Sequence, residues 1–292
     1  MIEKEKLHHR VSRLACVLGV SRAGYHAWLK RPKSMRKTSD DALSLRIKEI
    51  FEASFMIYGA PRIHQELVQA DGINIGKKRV ARLMRGLNIN GVSRRGKRKP
   101  KTTDPSQAPA APDLVQRNFK AERPNELWVA DITYVPTWEG WLFLAAVIDA
   151  CTKRCCGWSM RDDLKAELVV DALGMAATRM KPEPGLIHHS DRGSQYGSLA
   201  FGKTLKDSGI MASMGSRGDA YDNAAAESFM ATIKTELINR QSFKSKNEAR
   251  LVIFHYIEGF YNPVRRHSSI GYKSPAEYER MLTEETNVLV PT

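Results

Sequence analysis

The run Leu127-Trp128-Val129-Ala130-Asp131-Ile132-Thr133-Tyr134-Val135 is apolar and strand-forming except for one carboxylate near its centre. β-Branched and aromatic residues suit a pleated, half-buried strand. A carboxylate there is costly unless it finds a cation, a strong hydrogen bond or a sheet edge. The chain must therefore fold so that this strand delivers Asp131 to a polar crevice. A second acid, Asp191, closes the apolar run Leu186-Ile187-His188-His189-Ser190, at the kind of strand end that faces a crevice. Gly193, just beyond, lets a substrate backbone approach closely. A third, Glu227, lies about one turn into the helix-like run Asp222-Asn223-Ala224-Ala225-Ala226-Glu227-Ser228-Phe229, with 35 residues between it and Asp191. Asp222 or Asn223 suits the N-cap, and the three alanines let this helix pack tightly on a sheet.

Three carboxylates carried by two strands and a helix can hold two divalent cations. Magnesium prefers such oxygen ligands, and two ions can cut and join phosphodiesters. A lone Asp or Glu is far more often a cap or a surface ion-pair partner. It is the set, in this order and setting, that points to chemistry. Lys234, seven residues after Glu227, shares its helix face and is expected to project towards bound phosphate.

Around these acids the chain reads as three strands (about 127–136, 141–149 and 154–160), a helix (165–180), a strand (186–190), a helix (196–208), a short strand (210–214) and a long helix (222–239). Antiparallel strands followed by strands alternating with helices imply an α/β fold, a mixed five-stranded sheet with helices on its faces. The tail adds a helix at 246–260 and a Pro-capped helix from Pro275 to Leu282.

Charge divides the chain. The net charge is +14, yet 26 Lys/Arg against 10 Asp/Glu fall in residues 1–120, and 20 against 22 in the remainder. A basic front on a near-neutral body suggests a nucleic-acid-binding region joined to a catalytic one. The front is read as small all-α segments. Residues 8–31 give two short helices, the first striped by Val11, Leu14, Ala15 and Leu18, the second capped by Ser21 after a break at Gly19-Val20. A second pair follows Tyr58-Gly59-Ala60-Pro61. Ile63 and Leu67 stripe its first helix, Asp71-Gly72 makes the turn, and Val80, Leu83, Met84 and Leu87 stripe the next. Lys77, Lys78, Arg79, Arg82 and Arg85 are interspersed in that last helix, the pattern of a helix that enters a major groove. An ordinary soluble hairpin is the competing reading. A basic run with Arg94 and Arg95, then a Pro/Ala/Ser/Thr-rich stretch, forms a linker whose basic half is expected to track phosphates. The expected divisions are 1–57 (N-terminal helical, helix-turn-helix-like), 58–95 (helix-turn-helix-like, DNA-binding), 96–123 (linker), 124–240 (catalytic core) and 241–292 (C-terminal helical extension).

Other classes are excluded. No run of 18 apolar residues could span a membrane, and the charged start Met1-Ile2-Glu3-Lys4 is no secretory signal. Cys16, Cys151, Cys155 and Cys156 lack a Cys-x-x-Cys pair and read as reduced thiols of a cytoplasmic protein. His188 and His189 are expected to pack beside the sheet in at least one case. Asp149 is expected to cap the turn into Thr152. Trp128, Trp138, Trp141 and Trp158 are read as core or sheet-face aromatics. Arg217 and Tyr221, in a Gly-containing loop before Glu227, are candidates for DNA contact or simply parts of a connection.

Together these motifs resemble a family. Trp128-Val129-Ala130-Asp131-Ile132-Thr133-Tyr134 resembles the first-acid motif of transposases of the insertion-sequence-three family. His189-Ser190-Asp191-Arg192-Gly193-Ser194-Gln195-Tyr196 resembles the second, and Tyr221-Asp222-Asn223-Ala224 through Glu227, with Lys234 and Glu236, the third. Tyr261-Asn262, Arg266-His267-Ser268-Ser269-Ile270-Gly271-Tyr272 and Ser274-Pro275-Ala276 are similar to that family's ending. Tyr58-Gly59-Ala60-Pro61-Arg62-Ile63 and Arg79-Val80-Ala81-Arg82-Leu83-Met84 are similar to its front.

The resemblance implies a ribonuclease-H-like integrase core in which Asp131, Asp191 and Glu227 bind two Mg²⁺ ions, with Mn²⁺ able to substitute. It implies cleavage at element ends and strand transfer by a 3′-hydroxyl. Expected partners are double-stranded DNA at insertion-sequence ends and at the target, further copies of the chain on DNA, and an upstream-frame protein joined as a frameshift fusion. DNA-contacting residues are expected among Lys234, Lys77, Lys78, Arg79, Arg82, Arg85, Arg94, Arg95, Arg217 and Arg266, and association with the nucleoid follows. Two other readings remain: a stand-alone nuclease that cuts without joining, and a DNA-binding regulator whose site is unused.

Overall fold

The computed structural model describes residues 1–93, 111–116, 118–215 and 224–289. Three short helices open the chain: α1 (Ile2–Glu5), α2 (Val11–Val17) and α3 (Arg22–Lys30). Ser21 caps α3 by accepting from Gly24 N at 2.9 Å, as its position between an apolar stripe and a Gly break suggests. Ile2, Ala15 and Tyr25 form a small core of their own.

The next helix, α4 (Met35–Ala53), is the one main element not anticipated. Ser34 caps it, and Leu43, Ile47, Ile50 and Phe51 are buried on one face. It packs against α5 (Ala60–Gln65), which runs on through a π-helical turn (Glu66–Ala70), and against α6 (Lys77–Gly86). Gly72 turns the chain between them with φ +67°, a left-handed conformation that glycine adopts without strain. Val80, Leu83 and Met84 of α6 face inward as their spacing predicts.

The body is a five-stranded sheet in the order β3-β2-β1-β4-β5. Its strands are β1 (Leu127–Thr137), β2 (Gly140–Asp149), β3 (Cys155–Arg161), β4 (Ile187–Ser190) and β5 (Met211–Met214). β3, β2 and β1 pair antiparallel, while β4 and β5 run parallel to β1. Period-two alternation sorts β1 between two cores. Trp128 and Ala130 face the side covered by α7 (Ala166–Met180) and α8 (Leu199–Asp207). Leu127, Val129 and Val135 face the side covered by α9 (Ala224–Glu236) and α10 (Lys246–Phe254). Gly157 lets β3 meet α7 closely, since a Cβ there would fall 2.2 Å from the Ala172 carbonyl oxygen.

Several boundaries shift for local reasons. Ser198 caps α8, so that helix begins at Leu199 rather than at 196. The helix expected at 222–239 stops at Glu236 and continues as a 3-10 turn (Ile238–Arg240). The one expected at 246–260 widens after Phe254 into a π-helix (His255–Tyr261), and α11 (Pro275–Leu289) is longer than expected. The expected N-caps Asp222 and Asn223 lie outside the described residues.

The second core does not stop at the sheet. The same apolar cluster takes in Val129, Leu144, Phe229, Ile233, Ile253 and Phe260 of the body and Ile47, Ile63, Leu67, Val80 and Leu83 of the front. The α4–α6 unit is thus seated on the body, not strung from it. Among the described residues no helix is long and apolar enough to cross a membrane.

Candidate active site and nucleic-acid face

Parallel strands β1 and β4 share their last paired level at Val129 with His189. Two residues past that level come Asp131, within β1, and Asp191, just beyond the end of β4. In β1, Asp131 continues the alternation of Leu127 and Val129, which face the α9 side. Both acids are partly buried. Ile132 N donates to Asp131 Oδ1 at 2.8 Å, and Gly193 N donates to Asp191 Oδ1 at 3.0 Å. A Cβ at Gly193 would sit 3.1 Å from that Asp191 oxygen. The residue there must be small for the loop to fold back onto its own acid.

Glu227 stands in the first turn of α9, partly buried, beside the fully buried Ala226. Phe229, Met230 and Ile233 anchor the helix to the apolar side of the sheet. Lys234, two turns on, is also partly buried. Among the described residues no three His, Cys, Asp or Glu side chains stand close enough to hold one metal ion. Asp131 and Asp191 thus follow the last paired level of β1 and β4, and Glu227 stands on the helix that covers the Val129 side of the sheet, without the three closing on a point.

Beneath the pair lies Tyr196, 4% exposed, with its hydroxyl buried and lacking a hydrogen-bond partner. Burial, then the charges of Asp131 and Asp191, push its pKa well above the ordinary tyrosine value. Its ring packs edge-on against Phe201. His188 packs there too, against Phe201, with its Nε2 unpartnered. Burial, aided by the charge of His189, drives the His188 pKa down to about 4, so it stays neutral. His189 Nδ1 lies 2.9 Å from Ser213 Oγ. Both histidines pack within the sheet, as expected of at least one.

Asp149 is the turn cap that its position suggests. Its Oδ1 accepts from Thr152 N at 2.7 Å and Thr152 Oγ1 at 2.9 Å. Burial raises its pKa in spite of those hydrogen bonds. Trp128 is buried and Trp158 donates to Glu258 at 2.8 Å, but Trp138 and Trp141 are 73% and 57% exposed. Trp141, in β2, is a sheet-face aromatic as expected, whereas Trp138 lies in the turn between β1 and β2, in neither the core nor a strand. Trp141 still meets Tyr134 edge-on across the exposed face.

The basic residues of α6 divide. Lys77, Lys78 and Arg85 are exposed. Arg79 and Arg82 turn back to pair with Asp40 of α4 at 2.8 and 2.7 Å. Arg266 corrects an expectation. Only 8% exposed, its guanidinium grips Glu66 at 2.6 and 2.8 Å, Gln69 at 2.8 Å and the Tyr272 carbonyl at 2.8 Å. With its donors so engaged inside the protein, it is not offered to a phosphate. Arg94, Arg95, Arg217 and Tyr221 lie outside the described residues.

Sequence reasoning missed a buried ionic network at the far end of α9. Glu236 receives Arg265 through two bonds, 2.6 and 2.7 Å long, together with the Tyr256 hydroxyl at 2.8 Å. Burial works to raise the Glu236 pKa, but Arg265 and Arg62 outweigh it and hold the carboxylate below its usual range. A signal existed: Glu236 follows Ile233 by three positions, on the buried side, where an acid demands a partner.

Known proteins share this arrangement. Residues 121–220 and 208–275 match two families each described as an integrase core domain, and residues 38–98 match an HTH-like domain. A 31 kDa protein of insertion element IS600 from Shigella sonnei is 42% identical over 262 residues, 90% of this chain and 96% of that protein. The transposase InsF for insertion sequence IS3A of Escherichia coli K12 is 37% identical over 280 residues, covering 95% and 96%. Among solved structures, a simian T-cell lymphotropic virus intasome aligns with TM-score 0.46 and 11% identity, over 80% of this chain and 74% of that one. An integrase core domain behind an HTH-like domain, in a chain that matches insertion-sequence transposases over most of its length, defines a DNA transposase. The chain belongs to the insertion-sequence-three family of transposases.

Proposed function

We propose that this chain cuts DNA at the ends of its insertion sequence and joins the freed 3′-hydroxyl to target DNA. The observation that carries the reading is that Asp131 and Asp191 each follow by two residues the last paired level of parallel strands β1 and β4, next to the sheet side covered by the helix of Glu227. Asp131, Asp191 and Glu227 would hold two Mg²⁺ ions, with Mn²⁺ able to substitute. The donor set suits them. Every ligand is a carboxylate oxygen, and the orphaned Tyr196 hydroxyl beneath the pair adds a polar group that can hydrogen-bond to a carboxylate. Bound there, the ions would activate the attacking oxygen and offset charge on the leaving one.

The chain's own residues do the rest. Asp131 and Asp191 orient the site from a rigid sheet edge, with Gly193 N fixing one Asp191 oxygen. Gly193 also leaves room for a close phosphate. Lys234 reaches a phosphate near the cut end. Lys77, Lys78 and Arg85 of α6 grip the backbone of the end duplex, supported by Arg79 and Arg82, and Arg94, Arg95 and Arg217 add further phosphate contacts. Attack is in line, with no covalent protein intermediate. The division at 1–57, 58–95, 96–123, 124–240 and 241–292 assigns grip to the front and chemistry to the core. An upstream-frame protein, joined as a frameshift fusion, supplies further end recognition. Several copies act together on DNA in the bacterial nucleoid.

The test is cleavage and joining of the flanking element's own ends, with Mg²⁺, with and without the upstream-frame product. Cut ends joined to a second duplex support the reading. Cutting without joining would leave a nuclease, and DNA binding without any metal-dependent product would leave a regulator.

A further inference from the structure

The front unit is held to the body by α5 and its π-helical continuation, through a stripe at helical spacing: Arg62, Glu66 and Gln69. Arg62 Nη1 approaches Glu236 at 3.3 Å and its Nε donates to the Arg266 carbonyl at 3.0 Å. Glu66 receives both arms of Arg266, and Gln69 Nε2 donates to the Gly271 carbonyl at 3.3 Å. Tyr58 ties the same place twice, donating to the Val264 carbonyl at 3.1 Å and accepting from Arg266 N at 2.8 Å. Just past α6, a Cβ at Gly91 would lie 2.3 Å from Gly59 N, so the outgoing chain presses directly on this seat. The other end of the network is α9 itself, because Glu236 closes the helix that Glu227 opens. Meanwhile the α6 edge with Lys77, Lys78 and Arg85 stays exposed.

We propose that Glu236 and Glu66 are positioning residues. Through Arg265, Arg62 and Arg266 they fasten the first helix of the HTH-like unit to the helix carrying Glu227. The DNA-gripping edge of α6 and the catalytic acids then face DNA as one rigid body, and the protein fixes how far from its grip the cut falls. The effect on cleavage rests on the reading of Asp131, Asp191 and Glu227 given above. The pinning itself does not.

The test uses the full chain in a Cys16→Ser background, the remaining described cysteines being buried. Spin labels at Lys78→Cys on α6 and Lys203→Cys on α8 report the distance between unit and body. The parent should give one narrow distribution, and Arg62→Met/Glu66→Gln a broad one. Arg62→Met leaves Glu236 compensated by Arg265. Should the pair fail to fold, Glu66→Gln alone is measured in the same way. Glu66→Asp, which keeps the charge, should restore the narrow distribution. On the element's end duplex with Mg²⁺, the pair should bind within threefold of the parent, cleave at least tenfold more slowly, and spread its cuts over neighbouring phosphates. A broad parent distribution, a narrow one in the variants, or binding and cleavage falling together would overturn the proposal. If the parent cuts no end DNA, the reading of the acids fails, and the distance distributions still decide the pinning.

Discussion

Asp131 of β1 and Asp191, just beyond β4, each come two residues past the level at which Val129 meets His189. Neither strand could supply the pair alone. β1 runs on past Asp131 to Thr137, paired on its other edge with β2, whereas β4 ends at Ser190. One strand stops where its neighbour continues, and both acids are left only partly buried there.

Removing one charge at a time tests that pair and its helix partner. Asp131→Asn, Asp191→Asn and Glu227→Gln should each abolish Mg²⁺-dependent cleavage and strand transfer. Circular dichroism and end-duplex affinity should stay close to the parent. Strand transfer retained in any of the three would remove that residue from the site.

Metal dependence has a readout apart from turnover. A chelator should stop cleavage without unfolding the chain. Millimolar Mg²⁺ or Mn²⁺ should raise the melting temperature of the parent, since a ligand that binds only the folded state stabilises it. In Asp191→Asn the rise should vanish. An equal rise in both proteins would place the binding elsewhere.

Lys234 is tested by salt. Lys234→Ala should weaken binding to a cut end and lower the slope of log affinity against log salt by about 1. An unchanged slope with unchanged cleavage would make it a lysine of α9 with no part in binding DNA.

His188 sets a stability window. Its folded pKa of about 4 lies below the unfolded value of 6.5. Between those values the unfolded chain binds a proton that the folded chain refuses. Stability therefore falls as pH drops from 6.5 towards 4 and is fully present above that window. Thermal melts at pH 7 and pH 5 should show a smaller acid-induced drop in His188→Phe than in the parent. An equal drop would show that other groups dominate.

Glu236 behaves oppositely to a surface acid. Glu236→Gln leaves Arg265 buried and uncompensated, at a cost of about 3–5 kcal/mol in a denaturant melt. Glu236→Met combined with Arg265→Met should cost less than the single change, because the deeply buried Arg265 charge is removed together with its partner. Its folded pKa is depressed, so its contribution is present above the unfolded carboxylate value and lost as pH falls through the folded one. A double variant weaker than the single would contradict this account.

What could be read from the chain was local. The β1 and β4 runs, the Ser21 cap and the inward stripe Val80, Leu83, Met84 each declare themselves within a few residues, because periodicity and capping are short-range properties. The acids were legible because a carboxylate in an apolar strand has few explanations. α4 carried its signal at Leu43, Ile47 and Ile50, but it is diluted by lysines, arginines and acids on the remaining faces. Arg266 was misread because its partner Glu66 lies 200 residues away. A buried arginine and a phosphate-binding one look alike in sequence. Trp138 was misplaced for the converse reason: nothing local says where strand gives way to turn.

The shared core of α4–α6 and the sheet has a consequence for synthesis. Arg62 meets Arg266 across 204 positions, and Ile63 and Leu67 rest in a cluster that also needs Phe260 and Tyr261. Arg62 is therefore made 204 positions before Arg266, and the α5 stripe is complete well before the segment that covers it. Docking that later segment onto α5 is a long-range step, of the slow kind. Truncation before residue 262 should leave the stripe uncovered and the chain prone to aggregation.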